Sequence, residues 1–486
     1  MVEQTIFDLI YPKYKIDKPI RIIELFSGYG SQALSIKYLN VPFEHWKTCE
    51  WAVKSIQAYK DMHFYNDNND YSATYDIDFI KEFLFKKGIS SNYNEPMTKK
   101  QIERMSEMYA RNVFNNIIAT HNLVNISQVK GKELEIRDTD KYCYVMTYSF
   151  PCQDLSLAGK GKGMSDTNTR SGMLWEVERI LSELEEKPQI LLMENVPQVH
   201  SQDNIEDFKK WIMRLEELGY KNYWQDLIAT DYGIPQTRNR CFMVSILGDY
   251  SYSFPPKQEL KLKLKDMLED NVDEKYYLSD AMLQYITSKD DKYKVNENKL
   301  VINREIACSK TTREGNTRAD TTDYICDELP ENYKLKPVMN LYEMGIKRYN
   351  RRTEVVIDTS GSSSTLLART QGDNNMILIK NATAKGYLEA TEGDGINICG
   401  RMQYQRGNVQ KGKTQTLSTM GGENVAVVSS DLRIRKLTPK ECFRLMGVKD
   451  EDYEKCAKNQ SNASLYHLAG DSIVVNVLMA IFKELL

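Results

Sequence analysis

The chain has 486 residues, 41% of them hydrophobic, which is enough for two or three domains and a sizeable core. Its 65 Lys and Arg against 68 Asp and Glu give a formal charge of -3. That balance excludes a protein that coats nucleic acid over its whole surface, and leaves either an uncharged partner or basic residues gathered in one place. The nine cysteines, at 49, 143, 152, 241, 308, 326, 399, 442 and 456, include no C-x-x-C pair, which argues against a disulfide framework and against structural zinc. The start, MVEQTIFDLIYPKYK, lacks a signal-peptide pattern and no run reaches 18 apolar residues, so a cytoplasmic protein without a membrane partner is expected. The abundance of Lys, Asn and Tyr fits an AT-rich bacterial or phage gene.

From Pro19, PIRIIELFSGYGSQALSIKYL reads as a strand, a Gly-rich turn and a helix with apolar positions at Ala33, Leu34, Tyr38 and Leu39. CEW then puts Glu50 at the end of a second strand, ahead of a helix. Residues 61–120, rich in Asn, Lys and Tyr and ending in a helical stretch, interrupt the alternation and read as an insertion. That insertion is either a helical excursion enlarging a contact surface or a passive surface addition. A strand at 141–150, a helix at 172–184, a strand at 189–196, a helix from about 205 to 218 and a strand at 240–247 follow. Strands alternating with amphipathic helices predict an α/β domain with a mostly parallel sheet. Ligands in such sheets lie beyond the carboxyl ends of the strands, which directs attention to the loops after Leu25, Phe150 and Asn195.

Beyond Pro255-Pro256 the bursts VVID, MILIK, INICG and VAVV alternate with Gly, Ser, Thr and Asn clusters until about residue 430, a pattern for a smaller, strand-rich domain. Within it, residues 365–379 and 416–428 share a Thr-Leu, turn, Asn, strand order, either a weak repeat or two similar hairpins. Residues 432–448 and 466–485 return to helical spacing, the second segment entered through a Gly-Asp-Ser turn and packing back on the first domain.

A few residues in this frame carry chemistry. ELFSGYGS puts Gly28 and Gly30 at a strand-to-helix turn, where missing side chains let a ligand reach the backbone and the helix N-terminus; an ordinary tight turn is the alternative. Glu50 sits where a carboxylate accepts hydrogen bonds from both ribose hydroxyls, so the two features together favour an adenosine-type cofactor. The spacing is not G-x-G-x-x-G, so a nicotinamide is not the first choice. Cys152 follows a proline at the carboxyl edge of the sheet and precedes a Gly-Lys-Gly run, as a nucleophile beneath a mobile cover would; a small buried cysteine is the alternative. Glu194 ends the next strand on the same edge, where a partly desolvated carboxyl has a raised pKa and donates a proton. Arg238 and Arg240, two apart in an extended segment, point to one face and suit a ring oxygen or a phosphate; a solvated charge pair is the alternative.

The motifs ELFSGYG, CEW, SFPCQDLS, TRSGMLW, MENVP, GIPQTRNR, RKLTPKECFRLMGV and AGDSIVVNV, in that order over most of residues 20–248 and 431–486, make the chain resemble a cytosine-5 DNA methyltransferase. The resemblance implies a Rossmann-like class I methyltransferase domain over 1–265, a target-recognition domain with its linker over 266–430, and a return segment at 431–486 that completes the catalytic domain. It implies that Cys152 is the nucleophile, that Glu194 engages the cytosine ring nitrogen and exocyclic amine, and that Arg238 and Arg240 hold the flipped base and the cysteine loop. S-adenosylmethionine, leaving as S-adenosylhomocysteine and with no metal, would be bound by Phe26, Gly28, Gly30, Glu50, Trp51, Pro151 and Leu174, with Asp471 and Ser472 closing the pocket. Two positions depart from the family pattern. Asn125, in NIS, stands where an Asp usually takes the adenine amino group, and Gly470-Asp471-Ser472 stands for the usual G-N-S.

The implied partner is double-stranded DNA, met by a monomer in a bacterial or phage-infected cell, with a cognate restriction endonuclease as the companion a restriction-modification system adds. Residues 331–446 hold 18 Lys or Arg against 11 Asp or Glu, which suits a DNA reader. Two alternatives remain open at this stage. An RNA cytosine methyltransferase is disfavoured by a recognition region of well over a hundred residues, and a non-catalytic DNA-binding protein by the intact set of Cys152, Glu194 and Arg238.

Overall fold

The run IRIIEL forms β1 (Ile20–Leu25), nearly all of it buried because it lies inside a six-stranded sheet. The strand order is β2 (Phe43–Cys49), β1, β3 (Cys143–Tyr148), β4 (Ile190–Asn195), β6 (Asn239–Leu247), β5 (Tyr220–Ile228). β1 pairs in parallel with β2 and β3, and β3 with β4, whereas β6 is antiparallel to both β4 and β5. The sheet is therefore mixed, with only β6 reversed. β3 and β4 are buried on both faces, which is why their sequences are continuous apolar runs without alternation. Helices α1 (Ser31–Tyr38), α2 (Val53–His63), α6 (Leu174–Glu183) and α7 (Ile205–Glu217) follow the parallel strands in turn, giving a Rossmann-like α/β layer structure. This computed structural model describes residues 11–150, 173–277 and 434–486, and the segments 336–340, 355–358, 376–380, 387–391, 393–397, 409–414 and 425–428.

β5 is absent from the expected elements. Its sequence, YKNYWQDLI, has no apolar run, because an edge strand leaves residues such as Trp224 and Gln225 exposed. The strand is held from one side only, by its long antiparallel register with β6 from Tyr220↔Leu247 to Ile228↔Asn239.

The chain divides into two compact units, Met1–Gly233 with Asn239–Glu259 and Met446–Leu486, and Ile234–Arg238 with Leu260–Leu445. The first contains the sheet and the inserted helices α3 (Ile77–Lys87), α4 (Lys99–Glu103) and α5 (Glu107–Ala119). Each inserted helix starts on a capping side chain: Asp76, Thr98 in a reciprocal box with Gln101, and Ser106. Ile80, Leu84, Ile102, Val113 and Phe114 share one core with Val53 and Ile56 of α2, so the insertion is packed against the catalytic framework through α2.

In the second unit, β7 (Lys336–Asn340) pairs with β8 (Val355–Asp358) and β9 (Met376–Lys380) with β10 (Tyr387–Thr391). A further sheet has the order β12 (Val409–Gln410), β11 (Gly395–Asn397), β13 (Val425–Val428), β14 (Ile434–Lys436). VVID, MILIK and VAVV lie in β8, β9 and β13, and β11 takes in the Ile396-Asn397 start of the fourth burst. β9 and β13, the strands of the two similar segments, belong to different sheets and have different numbers of neighbours. Helical spacing expected from 432 begins later: Ile434–Lys436 is a strand paired with β13, and α8 (Pro439–Arg444) starts after the Thr438 cap. The helix start is fixed by Glu441, which accepts from Thr438 N and binds Arg435 through both guanidinium nitrogens at 2.8 Å.

The first unit is completed by α9 (Asp450–Ala457), α10 (Asn462–Asp471) and α11 (Val475–Leu485). α11 lies on α1, and the backbone N–H of Ile16 donates to Leu485 O. α9 docks through Asp452, fully buried, which accepts from Lys37 at 2.7 Å, Lys455 at 2.9 Å and the Tyr38 hydroxyl at 2.9 Å. Burial raises the pKa of this carboxyl, but the three donors outweigh it and hold it below the usual range. A depressed carboxyl stabilises the fold above its unfolded pKa of ~4 and loses that contribution as pH falls through the folded value. Asp452→Asn should therefore lower the unfolding free energy by roughly 1.5–3 kcal/mol at neutral pH. Urea unfolding at pH 7 and at pH 3 checks this, with the difference between variant and parent shrinking at the lower pH.

Candidate active site

The carboxyl ends of β1 and β3 diverge where the chain switches sides of the sheet, the usual place for a crevice. The turn after β1 is held in a costly conformation: Phe26 has φ of 57°, while its N–H and that of Ser27 donate to Cys49 O at 2.8 and 3.3 Å. Glu50, one residue past β2, fixes the rest. Its Oε2 accepts from Gly28 N at 3.1 Å and its Oε1 from Ala52 N at 2.8 Å. Burial pushes the Glu50 carboxyl up to about 7 against these two donors, with the nearby Asp471 charge adding to the rise.

Asn122, which sequence reasoning missed, holds Glu50 from behind. Its Oδ1 accepts from Glu50 N and its Nδ2 donates to Glu50 O, both at 3.0 Å, and Val124 N also donates to Oδ1 at 2.9 Å. An Asn in a polar loop looks like any turn residue, and only the fold brings residue 122 beside residue 50.

The two glycines of the turn have different reasons to be glycine. A Cβ on Gly28 would meet nothing within 4 Å, so that position opens onto free space. A Cβ on Gly30 would come within 2.6 Å of the Tyr59 ring and closer still to His63 Nε2. Beneath Gly30 runs a buried polar chain the sequence did not reveal. Glu24 accepts from Ala33 N and the Tyr59 hydroxyl, His45 Nδ1 lies 2.9 Å from that hydroxyl, and His63 Nε2 lies 2.9 Å from Tyr29 O. Burial pushes Glu24 up to about 7 and His63 down to about 4, so near neutral pH His63 is neutral and Glu24 is divided between acid and carboxylate. The one signal for Glu24 was a charged residue between the apolar neighbours Ile23 and Leu25.

The closing turn comes from the far end of the chain. The Tyr29 hydroxyl donates to Ser472 Oγ at 2.8 Å, and Ser472 Oγ donates to Ala469 O at 2.9 Å. Asp471, exposed beside it, pairs with His467 at 3.1 Å. Phe26 and Trp51 are half-buried and so keep ring surface available, and Ser27 Oγ is buried with no hydrogen-bond partner among the described residues. An acidic pair of oxygens, two part-exposed rings, an open glycine and an orphaned hydroxyl suit an adenosine with its amino-acid tail.

Two expected contacts fit less well. Asn125 Oδ1 already accepts from Ser127 N at 3.2 Å and Ser127 Oγ at 2.8 Å, so it caps its own turn rather than pointing an unused acceptor at a ligand. Leu174 is fully buried in the sheet core and presents no surface. Pro151 and Cys152 lie outside the described residues.

On the neighbouring edge, Glu194 ends β4 with 7% exposure and binds Arg240 Nε through Oε1 at 3.0 Å. Burial favours the neutral carboxyl expected for Glu194, while the adjacent guanidinium favours the carboxylate. Asn195, also missed, donates from Nδ2 to Phe150 O at 3.0 Å, tying β4 to the residue that precedes Pro151. Arg238 and Arg240, expected to share one face, fall in different compact units. Arg240 is in β6 of the first unit, whereas Arg238 is a buried residue of the second, in a segment where Thr237 N donates to Thr414 O at 2.8 Å. Among the described residues one group has metal-donor atoms close together, His200, Asp226 and Cys241, within 4.8 Å of one another. His200 Nε2 is already hydrogen-bonded to Asp226 at 2.9 Å, and burial pushes the Cys241 thiol up, away from the thiolate a metal requires.

The family model of the C-5 cytosine-specific DNA methylase matches residues 85–486. The chain belongs to that family. Among its relatives, the type II methyltransferase M2.ScrFI of Lactococcus lactis subsp. cremoris is 29% identical over 479 residues, 96% of this chain and 99% of its own. The orphan methyltransferase M.SssI of Spiroplasma monobiae is 33% identical over 307 residues, 61% of this chain and 76% of its own. The orphan methyltransferase M.SPRI of Bacillus phage SPR is 28% identical over 436 residues, 76% of this chain and 88% of its own.

As a cytosine-5 DNA methyltransferase, the protein is an enzyme that uses S-adenosylmethionine to methylate carbon 5 of cytosine in DNA. The sheet is thus that of an α/β methyltransferase. The contrast between the two glycines of this methyltransferase is directly testable. Gly30→Ala, with φ of 83° and a clash on Tyr59 and His63, should cost about 3 kcal/mol of stability. Gly28→Ala, with φ of 54° and no clash, should cost about 1 kcal/mol yet weaken cofactor binding more. Paired urea-unfolding and calorimetric titrations read both effects.

Proposed function

We propose that Cys152 is the nucleophile of the methyl transfer, that Glu194 manages the proton at the cytosine ring, and that Arg240 orients Glu194. Carbon 5 of cytosine is a weak nucleophile, so the Cys152 thiolate first adds to carbon 6, forming a C–S bond and moving electron density to ring nitrogen 3. Glu194 stabilises that density by proton donation. Arg240, on Oε1, orients the carboxyl for that transfer. S-adenosylmethionine supplies the electrophilic methyl group that carbon 5 then takes. Loss of the carbon 5 proton restores the aromatic ring and releases the Cys152 thiolate. The target base must leave the duplex for this, at a cost of a few kcal/mol.

The observation that carries the reading is the edge formed by β3 and β4. Asn195 holds the Phe150 carbonyl, one residue before Pro151-Cys152, while the next residue back in β4 is Glu194 with its guanidinium. The strand that leads toward Cys152 and the strand that carries Glu194 thus end side by side, which supports reading the two residues as partners. Glu50, Phe26, Trp51 and the open side of Gly28 are read as the cofactor site, with Asp471 and Ser472 closing it and Arg238 holding the base. The unit Leu260–Leu445, with the basic excess in residues 331–446, is read as the target reader. We assign the working form as a monomer in a bacterial or phage-infected cytoplasm, without a metal. The full-length similarity to M2.ScrFI favours a restriction-modification setting with a cognate endonuclease.

A duplex carrying 5-fluorocytosine at the target cannot lose its carbon 5 substituent, so the enzyme with cofactor should form a covalent adduct that survives denaturation. Cys152→Ser should abolish it, and an adduct persisting in that variant would refute the nucleophile. Glu194→Gln should reduce turnover by about 10²–10⁴. Ribose hydroxyls donate to an ionised Glu50, so the Kd for S-adenosylhomocysteine should rise roughly tenfold per pH unit below about 7, and Glu50→Gln should flatten that dependence.

A further inference from the structure

We infer that the loop at residues 88–97, inside the insertion, forms the outer wall of the cofactor site and that Tyr93 is a positioning residue for it. The inference rests on the reading of Glu50, Trp51 and Asp471 as cofactor residues. Nothing in the family resemblance assigned the insertion a role, and a passive surface addition would touch only the helix that carries it. This loop touches the Glu50 turn, the turn at Asn125 and the closing turn.

The first contact is to the Glu50 turn. Ser90 N donates to Trp51 O at 2.7 Å and Val53 N donates to Ser90 O at 2.9 Å, a parallel bridge centred on Ala52 and Ser90. The residues between those bonds include Ala52, whose N–H binds Glu50 Oε1. The second contact is to Asn125. A Cβ on Gly88 would lie 3.0 Å from Asn125 Nδ2, so only a glycine lets the end of α3 press this closely against the turn of residues 125–128. The third contact is to the closing turn. The Tyr93 ring lies 4.0 Å from the His467 ring, centroid to centroid, and His467 pairs with Asp471 at 3.1 Å.

The loop is built to hold that shape. Met97 N donates to Ile89 O at 2.7 Å, Ser90 Oγ donates to Glu95 O at 2.7 Å, and Asn92 Oδ1 accepts from the N–H groups of Asn94 and Glu95. Tyr93 itself has φ of 63°, a conformation that a bulky side chain rarely adopts, so the ring's contact with His467 is kept at a conformational cost. Segments near residues 52, 125 and 467 approach the site from three different elements, and one rigid loop fixes their spacing. A preformed site binds its ligand without first ordering its walls.

The test is calorimetric binding of S-adenosylhomocysteine to the full chain, with steady-state kinetics beside it. Tyr93→Gly keeps the backbone conformation and removes the ring. It should raise the Kd on the order of tenfold, as loss of a supporting contact to a binding residue does. The KM for S-adenosylmethionine should rise in parallel, while kcat and the KM for DNA stay within about twofold, a split that general destabilisation does not give. Tyr93→Phe should restore parental affinity. His467→Ala breaks the same contact from the other side and should raise the Kd likewise, so either variant decides the matter if the other fails to fold. An unchanged Kd in a folded Tyr93→Gly or His467→Ala protein, with binding weakened by Glu50→Gln, overturns the wall and leaves the site standing. An unchanged Kd in Glu50→Gln overturns the site reading itself.

Discussion

Both oxygens of Glu50 are engaged by backbone N–H groups, one from the loop after β1 and one from the first turn after β2. That carboxylate is therefore a fastener before it is a ligand. It sets how far the turn at Gly28 stands from the end of β2, and Asn122 sets the height of Glu50 itself by binding its N–H and its carbonyl. The strained Phe26 is tolerated because Cys49 O, the neighbouring acceptor, captures two consecutive N–H groups of the turn. Remove this bracket and the crevice at the sheet's switch point loses its shape.

The two carboxylates at the carboxyl edge are tuned in opposite ways by their surroundings. Glu50 has only neutral backbone donors and a like charge nearby, so burial prevails and its pKa rises to about 7. Glu194 meets a guanidinium at 3.0 Å, which favours its ionised form. Beneath these two carboxylates His63 is neutral and Glu24 is divided between its two forms near neutral pH.

What the sequence made legible followed from physics that acts locally. β3, β4 and the middle of β6 are apolar runs because they lie inside the sheet, where both faces are covered. β5 was illegible because an edge strand needs no apolar run, and β14 because three residues are too few to show a period. Gly28 and Gly30 look alike in the motif; only Tyr59 and His63, from a helix some thirty residues on, separate the glycine that opens the site from the one that lets the site be packed. Arg238 and Arg240 obey the two-residue periodicity of extended chain, yet the boundary between the two units falls between them, and periodicity carries no information about such a boundary. Asn122 and Asn195 are ordinary turn residues by type, and their roles exist only in the distances of 3.0 Å that the fold creates.

The order of the chain explains why the first unit must be finished by its last residues. The Gly-rich turn leaves Tyr29 buried with a hydroxyl that needs a partner, and that partner, Ser472, is supplied from 443 residues away in the sequence. α9 meets α1 through Asp452, and α11 covers α1 completely enough that Ser31, Ala33 and Leu34 are buried. The apolar stretch Asn462–Leu485 has the hydropathy of a membrane span, but it consists of two helices and 72% of its most apolar window is buried inside the protein. Its hydrophobicity answers to α1 and to the floor of the cofactor turn. The unit Leu260–Leu445 enters the chain before Met446, and the described contacts from Tyr29 to Ser472 and from Lys37 and Tyr38 to Asp452 join residues on either side of it.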